Sequence, residues 1–104
     1  MEVIWHAEAK NDLKEYYQNS NIQNKQSLMN YINSLINYTE YLKETPYIGK
    51  IFITYKEVEI RQVLFKMHRI IYFIKNNEVV ITKVIHTSRN IDGVMKYLNR
   101  FFNK

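Results

Sequence analysis

The chain contains no cysteine, a single proline and only two glycines among its 104 residues. Without cysteine it forms neither a disulfide bond nor a thiolate metal site. So little glycine and proline excludes a linker or a low-complexity segment. The longest uncharged run, residues 26–39, is rich in Asn and Ser, and it is shorter than the roughly 20 apolar residues that span a membrane. We therefore expect one globular domain over residues 1–104.

Other absences concern location and cofactors. The first residues, MEVIWHAEAK, lack the basic and apolar regions of a secretory signal peptide. His6 and His68 have no partner at metal-ligand spacing, and no phosphate-binding loop or dinucleotide fingerprint is present. We expect a cytoplasmic protein that requires neither metal nor cofactor and does not contact a membrane.

Positive charge is concentrated in the second part of the chain. Residues 1–45 carry four lysines and six acidic residues, a net charge of −2. Residues 46–104 carry eleven lysines and arginines and four acidic residues, a net charge of +7. A basic region of this kind attracts polyanions such as nucleic acid or an acidic protein segment. A basic surface without a binding role is the alternative explanation.

Two amphipathic helices are predicted in the N-terminal half, after a short apolar strand at MEVIW. Apolar residues at helical spacing predict the first helix over residues 7–19, and the segment SNIQN ends it. From Asn24 to Glu44, apolar residues recur at steps of three and four. This longer helix is expected to stop at Thr45-Pro46.

The hydrophobic period changes after Gly49, where β-branched and aromatic residues predict strands. Residues 51–54 and 59–65 are predicted as one strand segment with a break near Tyr55-Lys56. Further strands are predicted over 69–75 and 78–86, joined by a tight turn at Asn76-Asn77, because Asn tolerates positive φ.

A last helix is predicted after the strands. Asn90 is a candidate cap, and Ile91, Val94, Leu98 and Phe101 share one helical face. The predicted order is β-α-α-β-β-β-α. We expect an α+β fold in which an N-terminal strand and a helical hairpin pack on an antiparallel sheet.

This order resembles the RelE/ParE superfamily of bacterial toxins from type II toxin–antitoxin systems. The matching residues are Ala9, Asp12 and Leu13 in the first helix, Ile60 and Arg61 on the second strand, Arg69 and Tyr72 on the third, and His86 with Arg89 after the fourth. The resemblance spans essentially the whole chain and implies a growth-inhibiting toxin with a cognate antitoxin protein.

The superfamily has two branches with different targets. RelE-like members cut mRNA on the ribosome, and ParE-like members inhibit DNA gyrase. Cleavage requires cationic side chains that stabilise the phosphorane and residues that move protons. The resemblance places Arg61, Arg69 and Arg89 in such a cationic set, with His86 as a further catalytic candidate. For a polyanion or a target protein, the candidate contacts are Lys56, Arg61, Arg69, Lys83 and Arg89.

Several positions depart from the nuclease pattern. A lysine expected two residues before Arg61 is replaced by Glu59, and the expected tyrosine would fall near Met95, so that Tyr97 lies elsewhere on the helix. In the YoeB-like nucleases the terminal histidine would fall at Thr87, one residue beyond His86. These departures favour the ParE-like branch.

The sequence therefore leaves three functions open. The first is a gyrase inhibitor, the second is a ribosome-dependent endoribonuclease, and the third is a nontoxic interaction module of the same fold. Each candidate residue also has a structural alternative, because His86 ends an apolar strand and Tyr72 alternates with apolar neighbours. The charge asymmetry predicts that an acidic antitoxin segment docks against the sheet and the final helix.

Overall fold

The computed structural model describes residues 1–102. Its elements are β1 (Glu2–Trp5), α1 (Ala7–Asn19), α2 (Lys25–Glu40), a 3₁₀ turn (Tyr41–Lys43), β2 (Lys50–Tyr55), β3 (Val58–Phe65), β4 (His68–Lys75), β5 (Glu78–His86) and α3 (Asp92–Phe102). This α+β architecture confirms the predicted fold class. The predicted break near Tyr55 is a complete hairpin turn, so four strands follow the helices instead of three.

The five strands form one sheet in the order β1-β5-β4-β3-β2. Strands β2 to β5 pair antiparallel with their chain neighbours, whereas β1 pairs parallel with β5. A parallel pair needs a long crossover connection, and here the helical hairpin and three strands lie between β1 and β5 in the chain. Strand β4 is central, and β2 lies at one edge of the sheet.

Tight turns set the register of the hairpins. Asn76 and Asn77 both adopt positive φ, 53° and 61°, as expected for the turn between β4 and β5. Lys56 and Glu57 adopt the same conformation, with φ of 48° and 72°, between β2 and β3. Lys and Glu are not usual at positive φ, which explains why this second turn was not predicted from its residues.

The helix boundaries follow from local hydrogen bonds. The Asn24 side chain accepts from the Ser27 N–H at 3.1 Å and caps α2. The α-helical hydrogen bonding ends at Glu40, and the predicted end at Glu44 includes the 3₁₀ turn. Before α3, the Asn90 side chain accepts from the Asp92 N–H at 2.9 Å, so Asn90 does support the helix start.

Each face of the sheet carries its own apolar core. On one face, which we call the hairpin face, Val63, Ile70 and Ile81 pack against α1 and α2. On the other, the α3 face, Ile71 and Phe73 pack with residues of α3. Strand β5 contributes to both cores, with Val79 and Ile81 in the hairpin core and Val80 and Ile85 in the α3 core. No helix in residues 1–102 is long and apolar enough to cross a membrane.

Candidate functional site

Arg61 and Arg69 lie on opposite faces of the sheet. Arg61 alternates with Ile60, which belongs to the α3 core, so its side chain extends over the hairpin face. Arg69 precedes Ile70 of the hairpin core, so its side chain extends over the α3 face. Two of the three arginines of the predicted nuclease set are therefore not brought together.

The Arg61 guanidinium is engaged within the chain. It donates to the carbonyl oxygens of Tyr47 and Gly49 at 3.1 and 2.8 Å, and it pairs with Glu59 at 2.8 Å. It also lies 5.2 Å from the centre of the Tyr47 ring. With its side chain only 13% exposed, Arg61 holds the segment between α2 and β2 in place.

Tyr72 fixes the same segment between α2 and β2 through two hydrogen bonds. Its hydroxyl donates to the Pro46 carbonyl at 2.8 Å and accepts from the Gly49 N–H at 2.9 Å. The side chain is fully buried, as the predicted packing role requires. Burial raises the pKa of the Tyr72 hydroxyl above its ordinary value, so the hydroxyl stays protonated and continues to donate.

Lys83, which was a candidate contact for a polyanion, is paired with two carboxylates of α1. Its ammonium lies 2.8 Å from Asp12 and 3.0 Å from Glu8, and the side chain is 17% exposed. Burial alone would lower the pKa of Lys83, but the hydrogen bonds to Asp12 and Glu8 outweigh it and raise that pKa. The charge is thus neutralised within the fold.

The Asp12 carboxylate also supports the backbone of β5. Its second oxygen accepts from the Val84 N–H at 2.8 Å. The pairing of β4 with β5 shifts here, since Ile71 faces Lys83 whereas Tyr72 faces Ile81. Such a bulge leaves one residue unpaired in the ladder. Burial raises the pKa of Asp12, and the bonds from Lys83 and Val84 offset part of that rise.

His86 and His68 lie opposite each other where β5 ends and β4 begins. Their ring centres are 5.3 Å apart. His68 is 3% exposed, and its Nδ1 lies 2.8 Å from the Tyr31 hydroxyl. Burial and the neighbouring His86 lower the pKa of His68 to about 4. The Ser88 N–H donates to His86 Nδ1 at 3.1 Å, so the turn after β5 fixes the His86 ring.

Arg89 is exposed in the turn after β5, and its backbone N–H donates to the His86 carbonyl at 2.9 Å. It lines a cleft of about 830 Å³ between α1, the end of β5 and the start of α3. His86, Ser88 and Ile85 line the same cleft. Arg69 pairs with Ile85 in the sheet register and is hydrogen-bonded to Gln62 at 3.1 Å, so Arg69 and Arg89 occupy the same end of the sheet.

The remaining candidates lie apart from this end. Lys56 is in the β2–β3 turn, at the opposite end of the sheet from Arg89. The Tyr97 hydroxyl is hydrogen-bonded to the Thr82 hydroxyl at 2.9 Å, and the centre of the Tyr97 ring lies 5.4 Å from the Lys83 ammonium. These contacts give Tyr97 a structural role. Among residues 1–102 no three side chains of the types that bind metals are grouped.

The structural roles of Asp12 and Gly49 were missed in the sequence. Asp12 was recognised only as a position of resemblance, and its pairing with a lysine 71 residues away leaves no local signal. For Gly49, the available signal was an isolated glycine just before a strand, which often marks a close backbone approach.

Comparisons with known proteins agree with this fold. A family model described as the ParE toxin of the type II toxin–antitoxin system, parDE, matches residues 3–91. A solved structure from a chromosomal ParDE toxin–antitoxin system of P. aeruginosa has a TM-score of 0.67 and 12% sequence identity. The match covers 83% of this chain and 95% of that one. No curated relative matches the sequence. The chain, matched over nearly its whole length, belongs to the ParE toxin family of type II toxin–antitoxin systems.

Proposed function

We propose that the protein is a growth-inhibiting toxin that binds DNA gyrase as a protein ligand and carries out no hydrolysis. Family membership supports the toxin part of this proposal. The gyrase part follows from the resemblance to the ParE-like branch, whose members inhibit gyrase. Since gyrase is a cytoplasmic enzyme in bacteria, the site of action is the cytoplasm.

The observation that carries the choice of gyrase over mRNA is the separation of Arg61 from Arg69. Cationic groups that stabilise one phosphorane must converge on one phosphate. Here Arg61 and Arg69 extend over opposite sheet faces, and Arg61 is bonded to two carbonyls of its own chain. Glu59, which replaces an expected lysine, pairs with Arg61. These contacts support a binding role and not a cleavage role.

Arg69 and Arg89 form the proposed target-binding pair. Both lie at the end of the sheet where β4 begins and β5 ends. Arg89 is exposed and, within residues 1–102, its side chain has no hydrogen bond or ion pair. Lys83 is omitted from this surface because Asp12 and Glu8 neutralise it. Lys56 is omitted because it lies at the far end of the sheet.

Membership of a toxin–antitoxin family implies a cognate antitoxin. We place its acidic segment against the sheet and α3, where residues 46–104 carry a net charge of +7. Binding there is expected to weaken as salt is raised, because salt screens exposed charges over about 10 Å at 0.1 M. Arg89→Ala is expected to reduce this salt dependence. Antitoxin binding that is insensitive to both changes would contradict this placement.

The proposal is tested by inducing the protein in bacterial cells and following two signals. Gyrase inhibition is expected to relax a reporter plasmid while abundant transcripts stay intact in primer extension. A-site cuts with unchanged plasmid supercoiling would instead establish the endoribonuclease, which is the second candidate. Normal colony formation on strong induction, with full-length protein present, would favour the nontoxic module.

A further inference from the structure

Leu64 is an exposed leucine on a strand that is paired on both sides. Strand β3 lies between β4 and β2 in the sheet, yet the Leu64 side chain is 57% exposed and belongs to neither apolar core. Because Val63 packs in the hairpin core and side chains alternate along a strand, Leu64 lies on the α3 face. Helix α3 therefore leaves this part of its own face uncovered. A lone exposed leucine is common on proteins, so its neighbours decide its meaning.

The neighbours of Leu64 form a row across three strands. Leu64 pairs with Arg69 on β4, and Arg69 pairs with Ile85 on β5. Directly opposite residues on adjacent strands share one face, with their Cβ atoms about 5 Å apart. We call Leu64, Arg69 and Ile85 the cross-strand row. Its central arginine is partly buried between two aliphatic side chains, and a less polar surrounding strengthens the attraction of a guanidinium for a carboxylate.

The Arg69 guanidinium is positioned but not neutralised. Its Nη1 donates to the Gln62 side-chain oxygen at 3.1 Å, and this partner carries no charge. Among the described residues 1–102, Arg69 makes no ion pair. An arginine has five N–H donors in a planar fork that matches a carboxylate. Gln62 therefore fixes the direction of the guanidinium and leaves its other donors for a ligand.

The charge around the cross-strand row has one sign. Residues 60–77, from β3 to the β4–β5 turn, contain four lysines and arginines and no acidic residue. The Thr87 N–H donates to the Met67 carbonyl at 2.8 Å, so the β3–β4 turn is joined to the turn that carries Arg89. The two segments that present Arg69 and Arg89 are thus fixed to each other before binding, which lowers the entropy lost on association. A positive surface of this kind fits an acidic partner and repels a second copy of itself.

We propose that Leu64 is the apolar anchor of the surface that binds gyrase. The gyrase surface that fits carries a carboxylate with an apolar side chain beside it. The carboxylate binds Arg69, and the apolar side chain packs on Leu64. Phosphates of a nucleic acid would satisfy Arg69 but would leave Leu64 in water, so the pair favours a protein partner. The inference rests on the proposed function and deepens it.

The test measures binding of the full-length protein to immobilised purified gyrase by surface plasmon resonance. Leu64→Thr keeps a residue suited to a strand, removes most of the apolar contact, and is expected to weaken binding about tenfold. Ile4→Thr is the matched control, because Ile4 is a 37% exposed aliphatic residue on β1 at the other side of the sheet. Its binding is expected to stay within about twofold of wild type. If Leu64→Thr lowers the unfolding temperature, Leu64→Ser takes its place with the same expectation.

Salt separates the apolar contact from the charged one. The loss caused by Leu64→Thr is expected to stay the same within about twofold from about 0.05 to about 0.3 M salt, whereas the loss caused by Arg69→Ala is expected to be largest at low salt. If wild type binds gyrase and Leu64→Thr binds equally well, the inference is wrong and gyrase binding stands. If Arg69→Ala alone weakens binding, the surface recognises charge only, as for a polyanion, and Leu64 is no anchor. Absence of binding by folded wild-type protein at micromolar concentration would refute gyrase as the target and the inference with it.

Discussion

The Asp12 carboxylate lies 2.8 Å from the Lys83 ammonium and joins α1 to β5. Its other oxygen accepts the Val84 N–H at 2.8 Å, at the bulge where the β4–β5 register shifts. One carboxylate therefore compensates a partly buried cation and a backbone donor that the ladder leaves without a partner.

Asp12→Ala is expected to destabilise the fold by about 2–4 kcal/mol, because it leaves a partly buried charge and a backbone N–H unsatisfied. Asp12→Asn keeps an oxygen for the Val84 N–H and is expected to cost about half as much. The measurement is urea unfolding followed by circular dichroism. Lys10→Ala on the exposed side of α1 is the control, with a change within about 0.5 kcal/mol. Equal stability of Asp12→Ala and Lys10→Ala would contradict this role.

The protein is expected to lose stability between pH 6.5 and pH 4 because of His68. Its pKa is about 4 in the folded state and about 6.5 in the unfolded chain, so the unfolded chain binds the proton first. The stabilisation is complete above pH 6.5 and falls by about 3 kcal/mol as pH drops to 4.

The measurement for His68 is the difference in free energy of unfolding between wild type and His68→Gln across this pH range. The variant retains acceptor and donor groups for Tyr31 but does not titrate. The difference is expected to shrink as pH falls. A difference that stays constant from pH 7 to pH 4 would disprove the assignment.

Gly49→Ala is expected to be destabilising by about 1–3 kcal/mol. A Cβ at this position would lie 2.6 Å from the Tyr72 hydroxyl and 2.8 Å from the Gln62 carbonyl oxygen. Tyr72 is fully buried and cannot move aside. Gly93→Ala is the matched control, because a Cβ there meets nothing within 4 Å. Because Gly93 lies in α3, Gly93→Ala is expected to raise the free energy of unfolding by up to about 1 kcal/mol. Thermal unfolding distinguishes the two, and a neutral Gly49→Ala would show that Tyr72 is not fixed.

Arg61→Met is expected to lower stability by about 1–3 kcal/mol, because it leaves the carbonyls of Tyr47 and Gly49 without their donor. Growth arrest on induction at low temperature is expected to persist, since Arg61 is structural in this account. A variant that is as stable as wild type but no longer arrests growth would show that Arg61 acts directly in the toxin's function.

Local patterns were sufficient for most of the fold. The first helix was predicted with its observed bounds, and Asn76-Asn77 identified a hairpin because Asn tolerates positive φ. The Lys56-Glu57 turn was not predicted as such, since its residues carry no turn preference and the pairing of Tyr55 with Val58 leaves only these two residues to connect the strands.

The site was less predictable than the fold because its contacts connect distant parts of the chain. The matching positions of the family suggested that Arg61 and Arg69 act together, but the alternation of side chains places them on opposite faces. For Lys83, a surplus of positive charge in the C-terminal half suggested a free cation. Its partners Glu8 and Asp12 lie in the acidic half of the chain.

Gyrase inhibition is tested by a supercoiling assay with purified gyrase and relaxed plasmid. Wild-type protein at micromolar concentration is expected to inhibit supercoiling. Arg89→Ala is expected to require at least about tenfold more protein, and Lys75→Ala at the opposite end of the sheet should match wild type. Supercoiling that is unaffected by micromolar folded protein would refute gyrase inhibition, and inhibition that is equal for Arg89→Ala and wild type would refute the role of Arg89 in binding gyrase.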